Sequence, residues 1–335
     1  MAMSPRLWPA EVLAPQAQAL DTDSPALQRA LDDAAAAGML GLRAPPELGG
    51  LGLTGEAFAR VQVEMARASG TFAFLQAQHQ SALGFVMRSE GAVRTWLPKL
   101  ATGTVRAGIA YGWLRRPGPP LVTAQVEGAG VRLRGRLPWM TGWGFFSHCV
   151  VAARLPDRRV VLAWLDLSQQ GVHATPPMRL AAFEAARTVA VKLDVIISED
   201  SVLKVASEDW LERRDPSRAA PQAAFVLGIA WAGLELVARC FPDGDEALLG
   251  LRQQVEQVDA AVFSHIQSGE DGHAVRAEAI ALAGRLSLAA IAASSGRAAL
   301  HDHAAQRVHR DLLGFTVLSQ TPAVRQATLA ALSQS

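Results

Sequence analysis

Apolar side chains in the first hundred residues recur at the three- and four-residue spacing of an α-helix. One such stripe follows Ser24-Pro25, a favoured N-cap with proline in the first turn, and consists of Leu27, Ala30, Leu31 and Ala34. A second stripe consists of Phe58, Val61, Met65 and Ala68. Residues 72–87 are apolar almost all round, as in a helix buried within a bundle. The first part of the chain is therefore predicted to be a helical bundle.

The pattern changes near Val105 to short runs of β-branched residues separated by Pro, Gly or Asp. Such runs are typical of strands and turns, and they lie at residues 121–126, 131–137, 148–153, 159–164 and 188–197. No helix-length pattern lies between them, so an antiparallel sheet or barrel is predicted rather than a doubly wound sheet.

Helical periodicity returns after Leu203. Helices are predicted at residues 215–240, 248–262, 275–300 and 303–318, the first of them starting at Asp215-Pro216. The sequence thus predicts an α+β fold in three parts. These are an N-terminal helical domain (1–104), a middle antiparallel β domain (105–203) and a C-terminal helical domain (204–335).

Composition narrows the classes of partner and the cellular compartment. Among 335 residues, 32 Lys+Arg stand against 31 Asp+Glu, and this balance argues against a general nucleic-acid binder, which needs a basic surface. Two cysteines cannot form a disulfide framework and favour a reducing compartment, so a cytoplasmic location is predicted. The N-terminus lacks the apolar core of a signal peptide. No membrane span is predicted, because residues 219–232, the closest stretch, are shorter than the roughly 18 residues required.

Several short motifs are better explained by structure than by chemistry. Gly50-Leu-Gly52-Leu-Thr-Gly55 matches a dinucleotide fingerprint, but Pro45-Pro46 precedes it where a strand is needed, so a glycine-rich turn is favoured. His301, Asp302, His303 and His309 lack a complete ligand set for a metal and are interpreted as an exposed polar stretch. Cys149 and His148 are adjacent in a predicted strand and face opposite sides, which argues against a nucleophile pair.

Two clusters of residues can be interpreted either as structural or as functional. Trp139-Met140-Thr141 combines a broad apolar ring with a hydroxyl group, and Tyr111 and Trp113 stand at alternate positions that could face one side of a strand. These residues suit either ordinary aromatic packing or a flat heteroaromatic ligand. A charge cluster in the last long predicted helix, consisting of Arg307, Arg310 and Asp311, suits either an interhelical salt bridge or an interface.

The order of these segments resembles the acyl-CoA dehydrogenase family of flavoproteins. Pro46-Glu-Leu-Gly-Gly-Leu-Gly-Leu53 is similar to the family's turn between early helices, and Gly91-Ala-Val-Arg-Thr-Trp-Leu-Pro-Lys-Leu-Ala-Thr-Gly103 to its approach to the β domain. Gly135-Arg-Leu-Pro-Trp-Met-Thr-Gly142 resembles its flavin-facing strand. Arg307-Val-His-Arg-Asp311 resembles its late-helix arginine–aspartate signature. The resemblance covers essentially the whole chain.

The resemblance implies an FAD site between the β domain and the C-terminal helices of a homodimer or homotetramer that acts on an acyl thioester. Within that site it implies cofactor contacts at Tyr111, Trp113, Trp139, Met140, Thr141 and Thr321. It also implies that Gly296 approaches the cofactor from a partner subunit. It also implies that Arg218, near the family's alternative base position, lies at the substrate.

The sequence departs from the family where catalysis needs a base. The usual glutamate position is held by Ser319, so no catalytic residue is assigned, and the alternative position falls near Arg218. The family's flavin-contacting loop is replaced by Leu114-Arg-Arg-Pro-Gly-Pro-Pro120, and its pyrophosphate-binding turn after Arg239 is missing. Arg115, Arg116 and Arg218 are the candidates for a replacement anchor.

Three functions therefore stay open. The first is a divergent FAD-dependent oxidoreductase that acts on the CH–CH group of an acyl thioester, with reduced or altered activity. The second is a flavin-dependent oxygenase of the same fold, which needs no glutamate base. The third is a non-catalytic family member that serves as a subunit or as an acyl binder.

Overall fold

The structure, a computed structural model, describes residues 4–333, and its first part is helical. Five helices precede the sheet: α1 (Ala17–Thr22), α2 (Ser24–Ala36), α3 (Gly55–Ala68), α4 (Gly70–Arg88) and α5 (Leu97–Ala101). The predicted stripe of α2 is buried, and the helix ends before Gly38, whose φ is +74°. Ser24 does not cap α2 as predicted. Asp23 is the N-cap residue, and the Ser24 hydroxyl donates instead to the carbonyl of Ala185 (3.0 Å).

Eight strands form one sheet in the described residues. They are β1 (Ala107–Ala110), β2 (Val122–Glu127), β3 (Gly130–Met140), β4 (His148–Arg154), β5 (Val160–Asp166), β6 (Val172–Ala174), β7 (Val189–Ser198) and β8 (Val202–Ala206). The order is β6-β7-β3-β2-β4-β5-β8, with β1 also paired to β4. The sheet is not wholly antiparallel as predicted, because β4 pairs in parallel with both β1 and β2.

The central strands are buried on both faces, which explains their uninterrupted apolar sequence. In β4, Cys149 and Val151 point into the core of the β domain, while Val150 and Ala152 face the opposite side. That opposite side packs against α4 and α5 through residues such as Leu83. The sheet is thereby fixed to the N-terminal helices, and the turn after β1 lies beside the end of α4.

The last part of the chain is helical again, with six helices among the described residues. These are α6 (Trp210–Arg214), α7 (Pro216–Ala238), α8 (Glu246–Ser268), α9 (His273–Ser294), α10 (Ala304–Val317) and α11 (Pro322–Ser333). Apolar residues of α7, α9 and α10 join those of α2, α3 and α4 in a single core. The first and last parts of the chain are therefore one packed unit, although the sheet separates them in sequence.

Two helical stretches have the length and composition of membrane spans. These are α7 and residues His273–Ala299, each with a mean hydropathy of 1.4 in its most apolar window. Those windows are 67% and 50% buried inside the protein, and the two helices pack against each other in the shared core. Such burial is what core helices of a globular fold show.

A buried cluster of charged residues fastens α10 to the first helices. The Asp311 carboxylate accepts hydrogen bonds from Arg307 (2.9 Å) and from the backbone N–H of Gly70 at the start of α4 (3.2 Å). A carboxylate is stabilised at this positive end of a helix. Arg310 donates through Nε to Asp21 of α1 (3.0 Å). The predicted charge cluster is thus an interhelical salt bridge within the chain.

We expect Gly70→Ala to destabilise the protein, because a Cβ at this position would lie 2.4 Å from Asp311 Cγ. Overpacking of this kind lowers the free energy of unfolding by about 1–3 kcal/mol. The matched control is Gly284→Ala in α9, where a Cβ would meet no atom within 4 Å and should stabilise the helix by roughly 0.5–1 kcal/mol. Chemical denaturation measures both, and equal effects of the two substitutions would contradict the proposed contact.

The raised pKa of Asp311 leads us to expect that the stability of the protein depends on pH. Burial raises the pKa of Asp311 to about 7, against the lowering effect of Arg307. Its contribution to stability is therefore complete below the ordinary aspartate pKa of about 3.9 and is lost as the pH rises through 7. Between about pH 5 and pH 8, we expect the melting temperature of the wild type to fall more than that of Asp311→Asn. The exposed control Asp302→Asn should follow the wild type, and parallel curves for all three proteins would refute the assignment.

Candidate functional site

The end of β3 exposes an aromatic ring beside a buried hydroxyl. The pairing of β3 with β7 is irregular between Leu137 and Met140, and Trp139 lies in this irregularity with its side chain 49% exposed. Thr141 follows almost buried, its hydroxyl 3.0 Å from that of Thr188. Since one hydroxyl of the pair keeps a proton to donate, this edge can bind the face and a polar edge of a planar heteroaromatic ring.

The other aromatic residues assigned to the same surface lie elsewhere. Tyr111 and Trp113 do not face one side of a strand as predicted, because the chain leaves β1 at Ala110 and enters a 3₁₀ turn, Gly112–Arg115. Trp113 is buried in the core of the β domain, where its indole N–H donates to the carbonyl of Ala152 (3.3 Å). Met140 is buried in the same core. Tyr111 packs on the opposite side of the sheet.

The position of the expected base lies beside a buried guanidinium group. Ser319 follows α10 with φ +47°, a left-handed conformation that is unusual for serine. Arg276 of α9, 2% exposed, donates to the backbone carbonyls of Leu318 and Ser319, the latter at 3.3 Å, and to Gln222 Oε1 at 2.5 Å. Burial, followed by the charge of Arg115, lowers the pKa of Arg276 to about 10.

Sequence reasoning missed Arg276. Its signal was an arginine near the start of a largely apolar helix, where a cation opposes the helix dipole. Such a residue needs acceptors from outside its own helix.

The nearby acid is already paired. Asp215, directly before α7, accepts two hydrogen bonds from Arg115, Nε to Oδ2 at 2.8 Å and Nη2 to Oδ1 at 2.5 Å. This bidentate geometry is the strongest form of an arginine–carboxylate pair. Arg115 is therefore engaged and is not the free phosphate anchor suggested by the sequence, whereas Arg116 is exposed.

Arg218 lies among other cations. Burial lowers its pKa, and the charge of Arg214 lowers it further. Arg43 acts on it in the same direction, while Asp215 opposes the shift. Both positions where the family would carry a base, near Ser319 and near Arg218, are thus lined by guanidinium groups.

The remaining positions implied by the resemblance differ in what they offer. Gly296 is exposed in the 3₁₀ turn Ser295–Ala299, and a Cβ there would meet no atom within 4 Å, so a ligand or another chain can approach it closely. The Thr321 hydroxyl accepts from the backbone N–H of Val324 (3.2 Å) at the start of α11, which is a capping contact.

The motifs interpreted as structural have structural partners. His303 accepts from the N–H of Ala305 (3.2 Å) at the start of α10, and His309 lies 2.8 Å from the Ser287 hydroxyl. Burial raises the pKa of the Cys149 thiol, which lies in the β core, while His148 stacks on Trp164 on the other face. Within residues 4–333, no group of three His, Cys, Asp or Glu side chains could hold a metal ion.

The residues of this chain fit the isoalloxazine ring of FAD better than its pyrophosphate. Trp139 and Thr141 present a ring face and a hydroxyl to a flavin, and the turn at Gly296 is open. The connection 239–245 between α7 and α8 is mostly exposed, and Arg239 is its only basic residue. The residues present therefore fit the isoalloxazine ring, and this connection offers little to bind the pyrophosphate.

Comparison with known proteins confirms the predicted resemblance and fold. Residues 3–104 match the family model described as acyl-CoA dehydrogenase, N-terminal domain. Butyryl-CoA dehydrogenase from Megasphaera elsdenii is similar over 98% of this chain and 96% of its own (16% identity, TM-score 0.78). A glutaryl-CoA dehydrogenase from Mycobacterium smegmatis, in complex with FADH2, is similar over 99% and 93% (16% identity, TM-score 0.80). No curated protein matches the chain by sequence.

Proposed function

We propose that this chain, which carries an acyl-CoA dehydrogenase N-terminal domain within the acyl-CoA dehydrogenase fold, is a flavin-binding oxidoreductase that does not use a carboxylate base. It binds FAD and an acyl thioester, as the names of its structural relatives suggest, and differs from a standard dehydrogenase in the proton-transfer step. The relatives are distant in sequence, so the proposal depends on the residues of this chain.

For the cofactor, the proposal assigns the flavin ring to Trp139 and Thr141. The open turn at Gly296 would approach a flavin held by the other subunit of a homodimer or homotetramer. When bound, FAD supplies a two-electron acceptor for hydride. The chain itself supplies the ring platform of Trp139 and a hydroxyl hydrogen bond from the Thr141–Thr188 pair.

The guanidinium groups beside both expected base positions are the observation that carries the proposal. A general base must accept a proton within hydrogen-bond reach of the substrate, and a guanidinium group has no lone pair to do so. Arg276 contacts the Ser319 carbonyl, Arg218 lies near the alternative position, and Arg115 holds both oxygens of Asp215. These arginines can stabilise negative charge on a substrate, but they cannot abstract its α-proton.

An oxygenase of the same fold is the second candidate, and the same observation favours it, since such a reaction requires no carboxylate base. A non-catalytic acyl-binding subunit is the third. The three candidates differ in oxygen consumption and in the response of bound flavin to acyl-CoA.

We expect Trp139→Ala to weaken FAD binding at least tenfold, because it removes an aromatic stacking platform. The melting temperature of the FAD-free protein should change little, since half of the indole surface is already exposed. Trp231→Ala, on the outer side of α7, is the control and should retain FAD affinity. Fluorescence titration of FAD measures the affinity. An unchanged FAD affinity of Trp139→Ala would show that the flavin does not bind at the end of β3.

We expect anaerobic butyryl-CoA or glutaryl-CoA to leave the visible absorbance of the bound flavin unbleached. Ser319→Glu should restore at most slow bleaching, because pairing with Arg276 would hold the new carboxylate in its ionised, weakly basic form. Ser268→Glu, at the exposed end of α8, is the charge-matched control.

Rapid bleaching of the flavin in the wild-type protein would overturn the proposal that this protein does not use a carboxylate base. Substrate-dependent oxygen uptake in the presence of a reductant would select the oxygenase. A stable yellow protein that neither bleaches nor consumes oxygen would select the non-catalytic subunit.

A further inference from the structure

Four arginines from separate segments converge at the end of α4. Arg43 lies in the turn after α2, Arg88 ends α4, Arg214 ends α6, and Arg218 lies in the first turn of α7. Arg43 and Arg88 both reach over Gly84, where each places its Nη1 atom 3.4 Å from the position of a missing Cβ. The small size of Gly84 thus leaves room for two neighbouring guanidinium groups.

Aromatic rings hold two of these guanidinium groups in place. Arg214 Cζ lies 4.9 Å from the ring centre of Phe85 and 5.5 Å from that of Trp210, and Arg88 Cζ lies 5.7 Å from Phe85. The rings are fixed in turn, since Tyr111 packs edge-on against both at 5.6 Å. Cation–π contacts orient a guanidinium without neutralising its charge.

None of the four arginines forms an ion pair with a carboxylate within residues 4–333. The neighbouring arginines do: Arg213, adjacent to Arg214, pairs with Asp209 (3.3 Å), and Arg115 pairs with Asp215. Asp209 and Asp215 are therefore engaged by other arginines, and the cluster keeps a net positive charge that Asp215 offsets only in part at Arg218.

This arrangement costs stability in the ligand-free protein. Burial, together with the charges of Arg214, Arg43 and Arg218, lowers the pKa of Arg88 to about 10. Arg214, at the end of α6, and Arg218, in the first turn of α7, carry like charges that repel each other, and both cations oppose the dipole at the beginning of α7. An anion at this position would relieve the repulsion and would meet the favourable end of the helix.

We propose that Arg43, Arg88, Arg214 and Arg218 form a binding site for a small polyanion, a molecule with two or more phosphate or carboxylate charges. Guanidinium groups bind both chemical groups through paired hydrogen bonds, and the fixed rings pre-organise them. The site shares Arg218 with the substrate position proposed above, and it shares no residue with the proposed flavin contacts at Trp139 and Thr141. It lies at the junction of the N-terminal helices, the turn after β1 and α7.

Isothermal titration of the purified full-length chain with inorganic pyrophosphate, at constant ionic strength, tests the proposal. We expect one saturable site in the wild type. Arg88→Gln and Arg214→Gln should each lower the affinity at least tenfold. Arg213→Gln is the control: it removes one positive charge from the same helix, but Arg213 is already paired with Asp209. Its affinity for pyrophosphate should stay within twofold of the wild-type value.

Absence of pyrophosphate binding at millimolar concentration would overturn the proposal, as would equal losses in Arg213→Gln and Arg214→Gln. Competition by FAD, by coenzyme A or by citrate would identify the natural source of the charge as a cofactor phosphate, a thioester phosphate or a carboxylate. Because the titration uses protein without FAD, its result does not depend on the proposed flavin chemistry.

Thermal unfolding supplies a second readout that separates binding from a structural role. Without ligand, Arg214→Gln should melt at a higher temperature than Arg213→Gln, because it removes repulsion rather than an ion pair. Pyrophosphate should raise the melting temperature of the wild type and not that of Arg214→Gln. A lower melting temperature of ligand-free Arg214→Gln than of Arg213→Gln would show that Arg214 serves the fold and would contradict the proposal.

Discussion

The burial of α7 is the constraint on which the rest of the structure depends. This 23-residue helix is apolar on nearly all sides, so it must be covered by other helices in water. Its partners α3, α8 and α9 come from both ends of the chain, and together they form one core. That requirement brings the first and last parts of the sequence together. It also places the start of α7, with its arginines, against the end of α4 and the turn after β1.

Charged side chains serve two distinct purposes in this framework. Those with carboxylate partners fasten elements together: Arg310 with Asp21, and Arg115 with Asp215. Those without such partners gather near Arg88, where their mutual repulsion weakens the bare fold. Functional sites commonly hold such unfavourable charge because a ligand compensates it.

Prediction from the sequence was most accurate where an element is long and periodic. The stripes of α2 and α3 and the apolar runs of β4 and β5 were read correctly, because burial of one face or both leaves a regular pattern. Seven elements were missed, namely β1, β6, β8, α1, α5, α6 and α11, and all of them except α11 have six residues or fewer. Strands of three to five residues carry too few positions to show a period, and β1 exists because it pairs with β4. The same absence of pattern explains why Tyr111 and Trp113 were assigned to one strand face.

The sequence by itself determined the helical–β–helical order and the resemblance to the acyl-CoA dehydrogenase family. These properties are local or are carried by the order of motifs along one dimension. Only the tertiary structure decided that Arg276 would contact the Ser319 carbonyl, that Arg115 would occupy Asp215, and that Arg88 would lie beside Arg214. Side chains from distant segments meet because apolar helices pack, and the charge environment of each follows from that packing rather than from its neighbours in sequence.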